Sequence, residues 1–309
     1  MATKKVIQKT TRSVSFKLAI VAIIALLLLI PASMIKSLIN ERQERRDEVV
    51  QEVTKKLGRD QTLTGPIISV PYRSIVERSN GSEEVWHYMH FLPETLKFDG
   101  EVIPDVRYRS IYEVIGYKSK ISVSGAFKDL EIKNKFVKPE NVFWEDAVLS
   151  FGISDMRGIA SNIFVRLNSE KYKLKPGLPS TDVIETGVNT PISIEPGKKN
   201  HSFSFDLDIN GSEALRFVPM GAQTEIKLES EWDTPSFSGA FLPDQRQVSD
   251  NGFTAQWQIL ELNRNYPQKW KDDKYDLQES AFGVDLIFPV DIYQKNIRSV
   301  KYAILFIIL

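Results

Sequence analysis

Cysteine is absent from the 309 residues of this chain, and histidine occurs only three times, as His87, His90 and His201. The lack of cysteine excludes disulfide bonds, thiol nucleophiles and thiolate metal ligands. With so few histidines, a zinc site would need carboxylate ligands from distant segments. His87 and His90 lie in a segment with strand character, where residues three apart point to opposite faces of a sheet. We therefore predict no metal site and no cofactor.

Neither sign of charge is in excess, because Lys+Arg and Asp+Glu both number 40. Nucleic-acid-binding domains usually carry a basic excess, so no nucleic-acid partner is predicted. The sequence also lacks the H-E-x-x-H, G-x-S-x-G, P-loop and G-x-G-x-x-G motifs of common catalytic and nucleotide-binding sites. These absences favour a binding or scaffolding protein and predict that the chain is not an enzyme.

One long run lacks charge altogether. Residues 18–35 contain no acidic or basic side chain between Lys17 and Lys36. As a helix, the run would span about 27 Å, close to the hydrocarbon thickness of a bilayer. A cleaved signal peptide is the alternative, but residues 31–35 (PASMI) offer no A-x-A cleavage site. We predict a retained transmembrane helix, with the lipid bilayer as a partner.

The topology follows from segment length, because the basic residues on the two sides of the run are nearly balanced. The segment 36–301 is too long for the positive-inside rule to retain it. We expect a cytoplasmic segment 1–17, a transmembrane helix 18–35, and an exported middle. Residues 302–309 are all apolar, and they are either a core strand or the start of a second transmembrane helix. We expect the second, which implies that the sequence is the N-terminal portion of a longer multi-pass protein.

Between the two apolar runs, the hydrophobic pattern changes from helical to strand-like. Residues 36–58 are predicted to form a helical stalk that Gly58 ends, and residues 59–300 a mainly β domain. Residues 203–209 (FSFDLDI) alternate strictly, and residues 112–117 and 121–124 are predicted as a strand pair. Asn-Gly and Asp-Gly pairs predict hairpin turns at residues 80–81, 99–100, 210–211 and 250–252.

Many short strands at this spacing indicate an antiparallel β-sandwich as the simplest architecture. Loop-rich composition places a subdomain boundary, if the domain has one, near residues 173–199.

Two stretches are candidate binding or structural motifs. Asp155 and Arg157 follow a predicted strand and form either a functional pair or a turn closed by the aspartate side chain. Phe237, Phe241 and Trp257 form either an aromatic binding surface or a corner of the core. A cleft that gathers Asp155, Arg157 and an acid with a shifted pKa would indicate catalysis. A flat or aromatic-rimmed groove would indicate binding.

These stretches also carry a family resemblance. Short segments that follow one another along nearly the whole chain resemble the inner-membrane protein CreD family. They are residues 65–71 (GPIISVP), 90–94 (HFLPE), 154–158 (SDMRG), 235–237 (PSF), 241–243 (FLP), 252–253 (GF), 263–265 (NRN), 290–294 (VDIYQ) and 301–305 (KYAIL).

The resemblance implies a protein of cell envelope integrity, tied to a carbon-source-responsive two-component regulon and to colicin tolerance and β-lactam response. It implies one N-terminal transmembrane helix, a large periplasmic domain and further C-terminal helices, and it supplies no catalytic residues. Other envelope proteins or cell-wall components are the expected further partners. Two alternatives stay open: a membrane-tethered periplasmic hydrolase with a dispersed site, and a ligand sensor that signals through the stalk.

Overall fold

One helix opens the part of the chain that the computed structural model describes, which is residues 14–78, 81–109, 112–132, 138–195, 197–271 and 273–288. This helix, α1 (Val14–Leu57), joins the predicted transmembrane run and the predicted stalk without a break. Its stretch Phe16–Glu52 is long and apolar enough to cross a membrane. Gly58 ends the helix as predicted, since its φ of 112° is favourable only for glycine. Residues 302–309, the predicted second membrane helix, lie outside the described residues.

The rest of the described chain is mainly strand, which confirms the predicted fold class. The strands are β1 (Gln61–Arg78), β2 (Gly81–Phe91), β3 (Thr95–Arg109), β4 (Tyr112–Lys128), β5 (Ala147–Ile153), β6 (Phe164–Leu167), β7 (Glu170–Lys173), β8 (Lys175–Pro176), β9 (Gly187–Ile192), β10 (Asn200–Ser212), β11 (Ala214–Val218), β12 (Gln223–Ser230), β13 (Pro235–Gly239), β14 (Gln245–Ser249), β15 (Gly252–Leu260), β16 (Lys269–Lys271) and β17 (Phe282–Leu286).

These strands form two sheets. The first has nine strands, in the order β13-β17-β11-β1-β5-β9-β8, with β2 paired to β1 and β16 paired to β2. The second has eight strands, in the order β14-β15-β12-β3-β4-β10-β6-β7. Most neighbours are antiparallel, but β1 with β11 and β3 with β12 are parallel pairs. The sheets are therefore mixed rather than purely antiparallel.

The hydrophobic core lies between the inner faces of the two sheets. Phe98 of the second sheet meets Phe217 of the first, with ring centroids 5.0 Å apart, and Phe151 meets Phe205 at 5.0 Å. The alternation predicted for residues 203–209 is present in β10, where every second side chain is buried. Such an alternation buries one face of the strand and exposes the other. Residues Val50–Ile287 form one compact unit, which contains both sheets and the last turns of α1.

Two predicted hairpin turns are wrong. Asn210 and Gly211 lie inside β10, paired with Lys118 and Tyr117 of β4. Gly211 is needed for close packing instead of for a turn, since a Cβ there would lie 2.3 Å from the Tyr117 hydroxyl oxygen. Asp99 and Gly100 likewise lie inside β3. The glycine of an Asn-Gly pair thus serves close approach as readily as a turn.

The other predicted turns have different outcomes. Residues 250–251 form the turn between β14 and β15, as predicted. Asn80 lies outside the described residues, while Gly81 begins β2 opposite Arg78. The predicted strand pair at residues 112–124 is a single strand, β4, because residues 118–120 continue the ladder with β3 and β10.

Candidate functional site: the helix junction and the open edge

Asp155 and Arg157, the polar pair predicted from the sequence, lie where α1 ends against the β domain. Asp155 follows β5 and starts a short 3-10 turn, in which its side chain accepts from the Arg157 backbone N–H. The Arg157 guanidinium donates to both carboxylate oxygens, with Nε 2.9 Å from Oδ1 and Nη2 2.6 Å from Oδ2. The turn closed by an aspartate is therefore present, and it also holds the arginine in one orientation.

Both side chains also bind the end of the helix. Arg157 Nη1 donates to the carbonyl oxygen of Lys55, 3.0 Å away. Asp155 Oδ2 accepts from the backbone N–H of Arg59 at 2.9 Å. The last carbonyl groups of a helix and the main chain that follows lack partners within the helix, so this pair satisfies groups that would otherwise face only water. Asp155 and Arg157 thus attach the helix end to the domain.

The electrostatics of the pair favour the charged carboxylate. The hydrogen bond from Arg157 is the main cause that lowers the pKa of Asp155 from 3.8 to about 2, and the Arg59 and Arg157 backbone N–H groups add to it. A carboxylate with so low a pKa does not act as a proton carrier near neutral pH. The shift here marks a structural ion pair, which is the other common origin of a perturbed pKa.

Gln61, which the sequence analysis missed, forms the centre of the junction. It is fully buried, and its Nε2 donates to the carbonyl oxygens of Asp155 and Asn210 at 3.0 and 3.1 Å. Its Oε1 accepts from the Asp155 backbone N–H at 3.2 Å and from the Ser154 hydroxyl at 3.3 Å. A single glutamine gives no sequence signal, because its role depends on segments about 90 and 150 residues away.

A second ion pair ties the last turns of α1 to the β3–β4 hairpin. Arg109 Nη1 lies 2.7 Å from Glu52 Oε1. Together with the Asp155 and Gln61 contacts, it connects α1 to β1, β3, β5 and β10. These contacts attach the last turns of α1 to the domain.

The aromatic residues predicted as a second candidate lie at one side of the sandwich. Phe237 of β13 contacts Phe253 and Trp257 of β15, with ring centroids 5.6 and 5.8 Å apart. Phe241 contacts Phe282 of β17 at 5.4 Å. Trp257 is 2% exposed, whereas Phe237 and Phe241 are only half-buried. The stretch is therefore a corner of the core that also reaches the surface.

This corner coincides with an open edge of both sheets. β13 is the last strand of the first sheet and β14 the last strand of the second, so among the described residues neither has a strand partner on its outer side. All five residues of β14 are exposed, and the Val248 side chain is 48% exposed. The Arg246 guanidinium lies 5.9 Å from the Phe237 ring and has no salt-bridge partner among the described residues. We call β13, β14, Phe237 and Phe241 the open edge.

The open edge differs from the opposite ends of the two sheets. There, β7 carries Lys171 and Lys173, and β8 consists only of Lys175 and Pro176. Lysine, proline and short length are common protections against pairing with a further strand. β14 (QRQVS) contains neither lysine nor proline, whereas β13 (PSFSG) begins with Pro235. The sequence could not indicate this, since the order of the strands decides which of them are at an edge.

Among the described residues, no group of three or more His, Asp or Glu side chains is placed to hold a metal ion. His87 and His90 lie on opposite faces of β2, as predicted for a strand. His87 stacks on Tyr72 with ring centroids 5.1 Å apart, while the His90 ring bonds to Ser69 on the other face.

Comparison with known proteins identifies the family of this chain. Residues 13–309 match the family described as inner membrane protein CreD. The inner membrane protein CreD of Escherichia coli (strain K12) is 31% identical over 293 residues, which cover 92% of this chain. The matched region spans 64% of that protein's length, so the chain corresponds to less than two thirds of it. The family match covers the helix and nearly every described strand, and the chain therefore belongs to the CreD family of inner membrane proteins.

Proposed function

We propose that α1 anchors a periplasmic domain that contributes to envelope integrity by binding an extended segment of another envelope protein at the open edge. Membership of an inner-membrane family and an apolar helix of membrane-spanning length support the anchor. The length of the segment after residue 35 supports its export. Changes in colicin tolerance and β-lactam response are the cellular effects that we expect from loss of this binding.

The observation that carries the proposal is the open side of the sandwich between β13 and β14. An edge strand exposes unpaired N–H and C=O groups, which an extended peptide can pair with by adding one strand. Half-buried aromatic rings beside such an edge provide a pocket for alternate side chains of the added strand. β14 offers the backbone, and Phe237 and Phe241 offer the pocket.

The chemistry of the edge indicates the kind of segment that fits. Phe237 and Phe241 favour an apolar side chain, and Val248 extends the apolar surface. Arg246 favours an acidic side chain two to four residues away along the added strand, because it lacks a carboxylate partner within the described residues. The proposed partner is therefore a short extended segment with one apolar anchor and one acidic residue. This function needs no catalytic step.

Photo-crosslinking in cells tests the proposal. A photoreactive amino acid at Val248 should capture one defined envelope protein, and the crosslinked peptide should be extended and should contain the apolar and acidic residues. Val248→Lys should abolish capture from a probe at Gln245, because an edge lysine disfavours strand addition. Leu262→Lys, at a residue 88% exposed and outside β14, is the matched control and should leave capture unchanged. Equal capture in both variants would show that the edge is not the docking site.

A second candidate function, ligand sensing through the stalk, is favoured by the junction. Asp155 and Arg157 attach the helix end to the first sheet, and Arg109 attaches Glu52 of α1 to the second, so a change in either sheet could reach the last turns of α1. Arg157→Gln should then retain binding at the open edge but lose the cellular response. Loss of both or of neither would favour the anchoring role alone.

A further inference from the structure

A polar cluster unrelated to the open edge lies on the outer face of the first sheet, the face that points away from the second sheet. In β5, Phe151 points inward to the second sheet, so Ser150 points outward. Ser69 of β1 is directly opposite His90 of β2, and His90 is directly opposite Trp270 of β16. Ser150 is opposite Ile67 and hence a diagonal neighbour of Ser69. Four adjacent strands thus place Ser150, Ser69, His90 and Trp270 side by side.

The central pair has the geometry of a serine with its base. Ser69 Oγ lies 2.9 Å from His90 Nδ1, and the two residues are 4% and 1% exposed. The second ring nitrogen, Nε2, lies 3.8 Å from Asp182 Oδ2. A carboxylate on that side favours the tautomer with its proton on Nε2, which leaves the Nδ1 lone pair to accept the Ser69 hydroxyl proton. A hydroxyl hydrogen-bonded to an imidazole, with a carboxylate near the other ring nitrogen, has the arrangement of an activated nucleophile.

Two unsatisfied groups border this pair. Trp270 Nε1 and Ser150 Oγ are buried and have no hydrogen-bond partner among the described residues. The Trp270 ring lies 5.8 Å from the His90 ring. Buried donors without partners are often retained for a ligand or for chemistry. Ser150 is a diagonal neighbour of Ser69 on the adjacent strand, so its hydroxyl can donate to an oxyanion that develops at Ser69.

A loop of residues 177–186 brings Asp182 to the cluster. It is held at one end by Asn189 Nδ2, which donates to the Gly177 carbonyl oxygen at 2.6 Å, and at the other by Thr186, whose hydroxyl donates to the Ile153 carbonyl oxygen at 2.9 Å. The Asp182 side chain is 35% exposed, so the cluster reaches solvent at its acid end. Tyr88 and Tyr275 are half-buried on the same side. A substrate would enter there, beneath an outward movement of the loop.

We infer that Ser69, His90 and Asp182 form an acyl-transfer site for a small ester. Ser69 Oγ attacks the ester carbonyl carbon while its proton passes to His90 Nδ1, and the Ser150 hydroxyl donates to the oxyanion. The carbon–oxygen bond to the alcohol breaks, and the alcohol leaves with the proton from His90. Water then attacks the acyl-Ser69 ester, again giving a proton to His90, which returns it to Ser69 Oγ. The net reaction converts one ester and one water into one acid and one alcohol.

A fluorophosphonate probe applied to the full chain in detergent micelles tests this inference, because its phosphorus reacts with activated serine hydroxyls and releases fluoride. Mass mapping should find the label on Ser69, with no label in Ser69→Ala and at least tenfold slower labelling in His90→Gln. Asp182→Asn lies in the half-exposed loop and should slow labelling about tenfold, because the neutral amide no longer favours the His90 tautomer with its proton on Nε2. If Ser69→Ala and His90→Gln fail to fold, the labelling rate of Asp182→Asn still tests the inference.

Ser74 provides the matched control, since its Oγ lies 2.9 Å from His87 Nε2 on the opposite face of the same hairpin. Ser74→Ala should label at the wild-type rate, with folding of every variant verified by circular dichroism. An unlabelled wild-type protein, a label at another residue, or a rate unaffected by Asp182→Asn would overturn the inference. None of these results bears on crosslinking at Val248, so the two proposals can fail separately.

Discussion

Arg157 Nη1 donates to the main-chain carbonyl oxygen of Lys55 across 3.0 Å and 102 residues of sequence. The same guanidinium is held by Asp155, whose carboxylate also accepts from the Arg59 backbone. One ion pair therefore joins the last turn of α1, the second residue after it and the end of β5.

Loss of the guanidinium should loosen the helix end without unfolding the domain. In Arg157→Gln, the Lys55 carbonyl loses its donor and Asp155 loses its counter-ion, so amide hydrogen exchange at Gly58 and Arg59 should accelerate severalfold. Arg107→Gln is the matched control, because Arg107 forms the same type of pair with Asp105, at 2.8 Å. Exchange at Gly58 and Arg59 that is equally fast in both variants would argue against the junction.

The junction should also depend on pH in a defined window. Hydrogen bonding by Arg157 lowers the pKa of Asp155 from 3.8 to about 2 in the folded state. Because the folded value is below the unfolded one, the stabilisation is complete above about pH 4 and is lost as pH falls towards 2. The difference in urea midpoint between wild type and Asp155→Asn should therefore shrink over that range. Asp105→Asn, which removes the carboxylate of the Asp105–Arg107 surface pair, is the control.

Gln61 should be the most sensitive polar residue of the junction. Gln61→Leu removes the hydrogen bonds to the main-chain carbonyl oxygens of Asp155 and Asn210. This loss should lower the free energy of unfolding by about 2–4 kcal/mol. Gln256→Leu, on the exposed face of β15, should change it by less than about 0.5 kcal/mol. Chemical denaturation of the two variants measures the difference, and similar costs would contradict the central role of Gln61.

Gly211 should not tolerate a methyl group, although it is not in a turn. A Cβ at this position would lie 2.3 Å from the Tyr117 hydroxyl oxygen, so Gly211→Ala should destabilise the fold by about 1–3 kcal/mol through overpacking. Gly197→Ala is the control, because nothing lies within 4 Å of a Cβ there and only its φ of 85° is unfavourable. A smaller melting-temperature loss at Gly211 than at Gly197 would contradict this explanation.

The proposed periplasmic location predicts the behaviour of reporter fusions. A reporter that is active only outside the cytoplasm should be active when fused after Gly100 and inactive when fused after Lys9. The reason is that the domain after α1 is too long to be retained by nearby basic residues. An inactive Gly100 fusion with full-length protein present would reverse the topology.

Several features of the molecule were accessible from local sequence. The uncharged run at 18–35 and the glycine at 58 predicted the helix and its end, because both depend on a few consecutive residues. The alternation in residues 203–209 predicted a half-buried strand for the same reason. A turn closed by Asp155 was one of the two alternatives predicted for Asp155 and Arg157, since an aspartate side chain reaches the backbone N–H two residues later.

Contacts between residues far apart in the sequence could not be predicted from local sequence. Asn210-Gly211 has the composition of a turn, and only the packing of Tyr117 against it makes it part of a strand. Ser69 and His90 gave no catalytic motif, because register between β1 and β2 brings them together and a distant loop adds Asp182.

The sequence alone thus determined the long apolar helix, its end and the mainly β class, since periodicity and backbone preference act over a few residues. Tertiary structure decided which strands became edges, which glycines accommodate neighbours and which polar side chains meet. Those outcomes depend on strand order and register, which are set by the burial of one face of each sheet against the other.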